Sequence, residues 1–111
     1  MLGRCLMLFC AMFSVACVAA RQDFASDNPD LPFHKAVLSG DTLYVSGHLG
    51  LDPETGQPPA DPRIEARRML DAFSATIARA GMTMDELVQV QVFCSDLTLY
   101  GVFHDVYRRC V

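Results

Sequence analysis

Two residues stand out as able to do chemistry because of where they fall. Thr42-Leu-Tyr-Val-Ser46 is rich in β-formers, and it ends on a hydroxyl and a glycine, Ser46-Gly47, before a tight acidic turn at Asp52-Pro-Glu-Thr-Gly56. A strand that ends on a hydroxyl and a residue without Cβ can line a pocket, because the hydroxyl hydrogen-bonds and the glycine lets a ligand approach the backbone closely. The competing reading is that Ser46 only satisfies backbone groups at the strand end. His34, His48 and His104 are too scattered for a zinc site, and there is no CxxC or His-Cys spacing, so no metal is expected. His34 and His48 are read as non-catalytic.

These residues must be positioned by a small chain of 111 residues, enough for one domain. Residues 1–20 differ from the rest. A short basic start at Arg4 leads into an uncharged apolar run from Cys5 to Val18, and then into Val18-Ala-Ala20 before Arg21. That is the layout of a secretory signal peptide, with residues 21–30 as a linker and residues 31–111 as the domain. The run is short for a membrane-spanning helix, so no membrane association is expected after cleavage. A lipoprotein signal ending at Cys17 is the lesser alternative, since Ser14 is a poor match for it. The expected location is therefore the periplasm or the outside of the cell.

Cleavage removes Arg4, the one charged residue of that segment, and moves the formal charge from −4 to −5. An acidic surface argues against a nucleic-acid partner. Of five cysteines, Cys94 and Cys110 remain. They could pair in an oxidising compartment, but sequence alone does not fix the distance that pairing requires. A core this small often leans on an oligomer.

The elements follow from local chemistry. Ser39-Gly40-Asp41 separates two β-rich pieces and predicts a hairpin. Asp61-Pro62 opens a helix in which Ala66, Met69, Leu70, Phe73, Ile77 and Ala80 recur at three and four, and Gly81 stops it. Thr83 to Glu86 has capping-box spacing. Val88-Gln-Val-Gln-Val-Phe-Cys94 alternates strictly and predicts a strand, and a second helix follows with Thr98 as its cap. The expected order is hairpin, helix, strand, helix, a three-stranded sheet with two helices covering one face.

Leu31-Pro-Phe-His-Lys-Ala-Val37, Gly40-Asp-Thr-Leu-Tyr-Val-Ser-Gly47 and Gly50-Leu-Asp-Pro-Glu-Thr-Gly56 together resemble the RidA family (YjgF, L-PSP endoribonuclease-like). Glu65, Phe73, Ala80-Gly81, the Val88–Phe93 run, Asp96-Leu97 and Tyr107 continue the match. The resemblance implies a chorismate-mutase-like α+β fold with a mixed β-sheet, two helices on one face, and homotrimers. It implies hydrolysis of enamines and imines such as 2-aminoacrylate to 2-keto acids and ammonia, in clefts between subunits and without a cofactor. The implied ligand is a small 2-keto or imino acid. An Arg would hold its carboxylate in two parallel hydrogen bonds, and a carboxylic acid would position water and move a proton.

Carried over by position, Ser46 and Gly47 match the ligand-lining pair. Phe33 stands where many members have a ligand-contacting Tyr, and it lacks the hydroxyl. His104 stands where many have Asn. Phe33 could equally be core, and His104 an exposed helix residue. The resemblance places the carboxylate-binding Arg and the acid on strands that follow the second helix, after Val111, so the last strands are expected to be missing from this chain. Arg108 and Arg109 belong to the helix or its end and do not stand in for that Arg. Three functions remain open: an exported deaminase, a non-catalytic ligand-binding or oligomer-forming relative, and an inactive fragment.

Overall fold

A computed structural model describes residues 19–111. The expected signal segment therefore lies outside the described residues, apart from Ala19 and Ala20. The fold is α+β. Strands β1 (Arg21–Phe24), β2 (Ala36–Ser39) and β3 (Thr42–Val45) form an antiparallel sheet in that order, followed by helices α1 (Pro62–Ala78) and α2 (Tyr100–Tyr107).

The hairpin forms as expected. Ser39 pairs with Thr42, which leaves Gly40-Asp41 as a two-residue loop, and Gly40 takes φ 64°. Glycine first in such a loop supplies the positive φ that matches the twist of the flanking strands. Along β3, Leu43 and Val45 turn partly inward while Thr42 and Tyr44 face out, as a two-residue period requires.

Residues 21–24 were expected to begin a linker, and here they form β1 instead. Arg21 pairs with Ser39, and Phe24 with Ala36. Three polar side chains hid this strand. They sit on an edge, where polar residues are tolerated because the ladder is made by backbone. The anchor is Phe24, 6% exposed, with the Arg79 guanidinium 5.9 Å from its ring centroid. Arg79 also donates to the Ala25 carbonyl at 3.1 Å.

The second correction is the reverse case. Residues 88–94 take no place in the sheet. Alternation marks two faces, but a strand also needs a neighbour to exchange hydrogen bonds with, and none of the described strands pairs with this segment. Both faces stay open: Val88 is 95% exposed and Phe93 86%.

Helix α1 is built as its sequence dictates. The Asp61 carboxylate accepts from the Arg63 N–H at 2.9 Å, and Pro62 occupies the first turn. Gly81, at φ 75°, closes the far end with Gly81 N–H to Ala78 O at 3.0 Å and Met82 N–H to Ile77 O at 3.2 Å. Those two bonds satisfy carbonyls the helix leaves open. Ala66, Leu70 and Ile77 are buried, with Phe24 and Ala36 from the sheet. Met69, Phe73 and Ala80 are half-buried. Helix α1 also packs against α2. The cap before α2 is Asp96 rather than Thr98. Its carboxylate accepts from the Thr98 N–H at 2.9 Å and the Thr98 hydroxyl at 2.7 Å, and it opens a 3₁₀ turn, Leu97–Leu99, that leads into the helix.

Candidate functional site

Ser46 follows directly after β3, and its polar groups are all engaged. Its N–H donates to the Lys35 carbonyl at 3.0 Å, and its hydroxyl donates to the same oxygen at 2.8 Å. Its own carbonyl lies 2.8 Å from His48 Nδ1. The hydroxyl proton is thus committed within the protein. What Oγ can offer a ligand is a lone pair, which suits an N–H group or a water rather than a carboxylate oxygen. Gly47 is exposed, and a Cβ built there would meet nothing within 4 Å. The backbone at this point is open to close approach.

His48 turns back from the strand end toward α1. Its Nε2 lies 2.8 Å from the Thr76 hydroxyl, and its ring meets Phe73 edge-on at 5.5 Å between centroids. Thr76 is 2% exposed. Burial lowers the His48 pKa below its ordinary value; the bond to the Ser46 carbonyl acts in the opposite direction, and the Lys35 ammonium adds to the lowering.

The chain then crosses α1 at Gly50, where a Cβ would lie 2.0 Å from the Glu65 carbonyl oxygen. Only glycine fits so close to a helix backbone. The following turn is held by Asp52. Its carboxylate accepts from the Glu54 N–H at 2.9 Å and from Arg68 at 2.9 Å. Those bonds hold the Asp52 carboxyl below the usual carboxylate range. Gly56 closes the turn at φ 67°.

The other two candidates lie apart. Phe33 precedes β2 and is half-exposed, so it is not core. His104 is on α2, its ring stacked on Tyr100 at 6.0 Å. It lines a groove of about 390 Å³ between α2 and the 87–92 segment, with Val88, Val90, Phe103 and Tyr107. Ser46, Gly47 and Phe33 do not line that groove. The described chain therefore joins Ser46 to Gly47 and leaves His104 with a different wall. A smaller cleft of about 220 Å³ is lined by Arg67, Asp71, Arg109 and Cys110. Cys94 and Cys110 are both free thiols. Among the described residues no three His, Cys, Asp or Glu side chains gather as a metal site, and no helix is long and apolar enough to cross a membrane.

Sequence reasoning missed His48 and Thr76 as partners. The available signal was a hydroxyl at position 76, inside an otherwise apolar helix face. It also missed Arg68, whose partner Asp52 lies sixteen residues away.

Comparison with known proteins bears on the whole of this region. Residues 25–111 match the family model described as Endoribonuclease L-PSP. The RutC family protein UK114 of Drosophila melanogaster is 35% identical over 82 residues, which is 73% of this chain and 59% of that protein. The Escherichia coli K12 protein named "Putative reactive intermediate deaminase TdcF" is 30% identical over 78 residues, 70% of this chain and 60% of its own length. This chain thus spans about 60% of the length of these curated relatives. Among solved structures, the YjgF gene product of E. coli superimposes with a TM-score of 0.69 at 28% identity, covering 79% of this chain and 72% of that one. E. coli TdcF, solved with serine bound, gives 0.66 at 26% identity, covering 83% and 71%. A family model covering most of the chain, relatives at about one-third identity and the shared α+β architecture agree, and this protein belongs to the Endoribonuclease L-PSP family, the RidA and YjgF group.

Proposed function

We propose that this chain carries one wall of a site for a small 2-keto or imino acid, serving the hydrolysis of reactive enamines and imines to 2-keto acids and ammonia. The observation that carries this reading is the end of β3: a fixed serine hydroxyl beside an open glycine backbone, in a chain of this family. The free lone pair on Ser46 Oγ suits the N–H of an imine or enamine, or the water that attacks it. TdcF, a relative by sequence and by fold, was solved with serine bound, a small amino acid of the size such a site would take. In the family as the resemblance describes it, the anion-holding Arg and the acid lie on strands that follow the second helix. Residues 31–111 supply the ligand-facing strand end.

The site would sit in a homo-oligomer, with three copies as the family pattern implies. The exposed Val88, Phe93 and Leu97 favour association, since apolar surface of this extent is normally covered. The charge pattern of residues 1–20 supports export by a cleaved signal. No cofactor, metal or nucleic-acid partner enters the proposal.

A second reading, binding without catalysis, is favoured by two observations. Phe33 has no hydroxyl, and the Ser46 proton is committed to Lys35. An assay separates the two. Ammonia release from a 2-aminoacrylate-generating mixture above the buffer rate supports catalysis. A rate equal to buffer, with 2-ketobutyrate still binding by calorimetry, favours the binding reading. No ammonia and no heat of binding would reject both.

A further inference from the structure

We infer that His48 is a positioning residue that clamps the Ser46–Gly47 strand end to helix α1, donating from Nδ1 to the Ser46 carbonyl and accepting at Nε2 from the Thr76 hydroxyl. Its bearing on ligand rests on the proposed reading of that strand end as a ligand wall.

The assignment follows from what each atom can do. A carbonyl oxygen only accepts, so the contact of 2.8 Å to Ser46 O requires a proton on Nδ1. A neutral ring then presents a lone pair at Nε2, and the Thr76 hydroxyl at 2.8 Å is placed to donate to it. The same hydroxyl lies 3.0 Å from the Ala72 carbonyl, and with one proton it serves one acceptor at a time. A charged ring would donate from Nε2 to Thr76, and Thr76 would turn its proton to Ala72. Half-burial and the nearby Lys35 ammonium both disfavour the charged ring. At neutral pH the first arrangement holds, with the Nδ1–H tautomer fixed by its partners.

The clamp matters because Gly47 cannot hold itself. It has no side chain to pack, and space around its Cβ position is open. Its placement depends on its neighbours: Ser46, tied to Lys35 through N–H and Oγ, and His48, tied to α1. The buried hydroxyl of Thr76, in a helix face that is otherwise apolar, has this ring as its partner.

The test uses the full chain labelled with ¹⁵N at pH 7, together with His48→Leu, His48→Gln and Thr76→Val. Glutamine is the neutral side chain that offers one donor and one acceptor on a planar group. The imidazole spectrum is expected to show Nδ1 protonated and Nε2 bare. Thr76→Val, which keeps the shape, is expected to leave Nδ1 protonated and to move the Nε2 resonance toward that of a bare nitrogen that accepts no hydrogen bond. Exchange of the Ser46 amide is expected to quicken about tenfold in His48→Leu and to return within about twofold of the original in His48→Gln. The 2-ketobutyrate Kd should follow the same order. An Nε2–H ring in the unaltered chain, an Nε2 resonance unchanged by Thr76→Val, Ser46 exchange unchanged in His48→Leu, or no recovery with glutamine would each overturn the clamp. If 2-ketobutyrate does not bind the unaltered chain, the ligand reading fails, and the spectrum and the exchange rates still decide the clamp.

Discussion

Thr76 puts a hydroxyl on the buried face of α1, and His48 is its partner there. The same hydroxyl also reaches the Ala72 carbonyl of its own helix at 3.0 Å, so the ring, 2.8 Å away and 28 residues distant in the chain, is its second partner. The histidine also gives the protein a pH dependence of known sign. Its folded pKa lies below the ordinary 6.5, so the unfolded chain binds a proton more readily. Stability from the neutral ring is therefore complete above about pH 6.5 and declines as the pH falls from there through the lower, folded pKa. Thermal midpoints of the unaltered chain should drop between pH 7.5 and 5 more than those of His48→Gln. His34 and His104 are common to both proteins, so the difference isolates His48. Parallel curves would refute the assignment.

At the scale of elements, the contacts that place the strand end are made by α1. Gly50 lets the chain pass directly over the Glu65 carbonyl, and Arg68 holds Asp52 in the turn beyond. Gly50→Ala forces backbone to move against a helix that cannot yield, and it is expected to destabilise the fold by about 2–3 kcal/mol. Urea unfolding measures this directly. A loss below about 0.5 kcal/mol would mean that the crossing is not tight. The hairpin, α1 and its caps were legible in the sequence because Gly40, Asp61, Pro62 and Gly81 act through local backbone chemistry. β1 was not legible. Arg21, Gln22 and Asp23 carry no apolar alternation, and their pairing with β2 is made by backbone groups common to all residues. The 88–94 segment misled in the opposite sense, since Val88, Val90 and Val92 show a strand's alternation without a strand partner among the described residues.

For the whole molecule, the distribution of apolar surface is uneven. The buried core joins Phe24 and Ala36 of the sheet to Ala66, Leu70 and Ile77 of α1, while Val88, Phe93 and Leu97 lie open. A segment with β-forming composition and two exposed faces is a template for association. The chain is expected to self-associate in solution, and Phe93→Lys should lower the apparent mass or raise solubility. Its melting temperature should stay within a few degrees, because the side chain is 86% exposed. Light scattering after size exclusion reads the mass. A chain that is monomeric and soluble before substitution would contradict this.

The sequence by itself determined the α+β class, the hairpin, the first helix with both its caps, the turn at Asp52–Gly56 and the resemblance to the family. Each rests on interactions within a few residues or on residue identity. Tertiary structure decided what depends on partners distant in the chain. It placed β1 on the sheet edge, left residues 88–94 outside the described sheet, set His104 in a groove apart from Ser46, and closed His48 on Thr76. A hydrogen bond between residues 28 apart leaves no periodic trace in a sequence, because nothing local requires it. Only the packing of α1 beside the end of β3 brings the ring and the hydroxyl within reach.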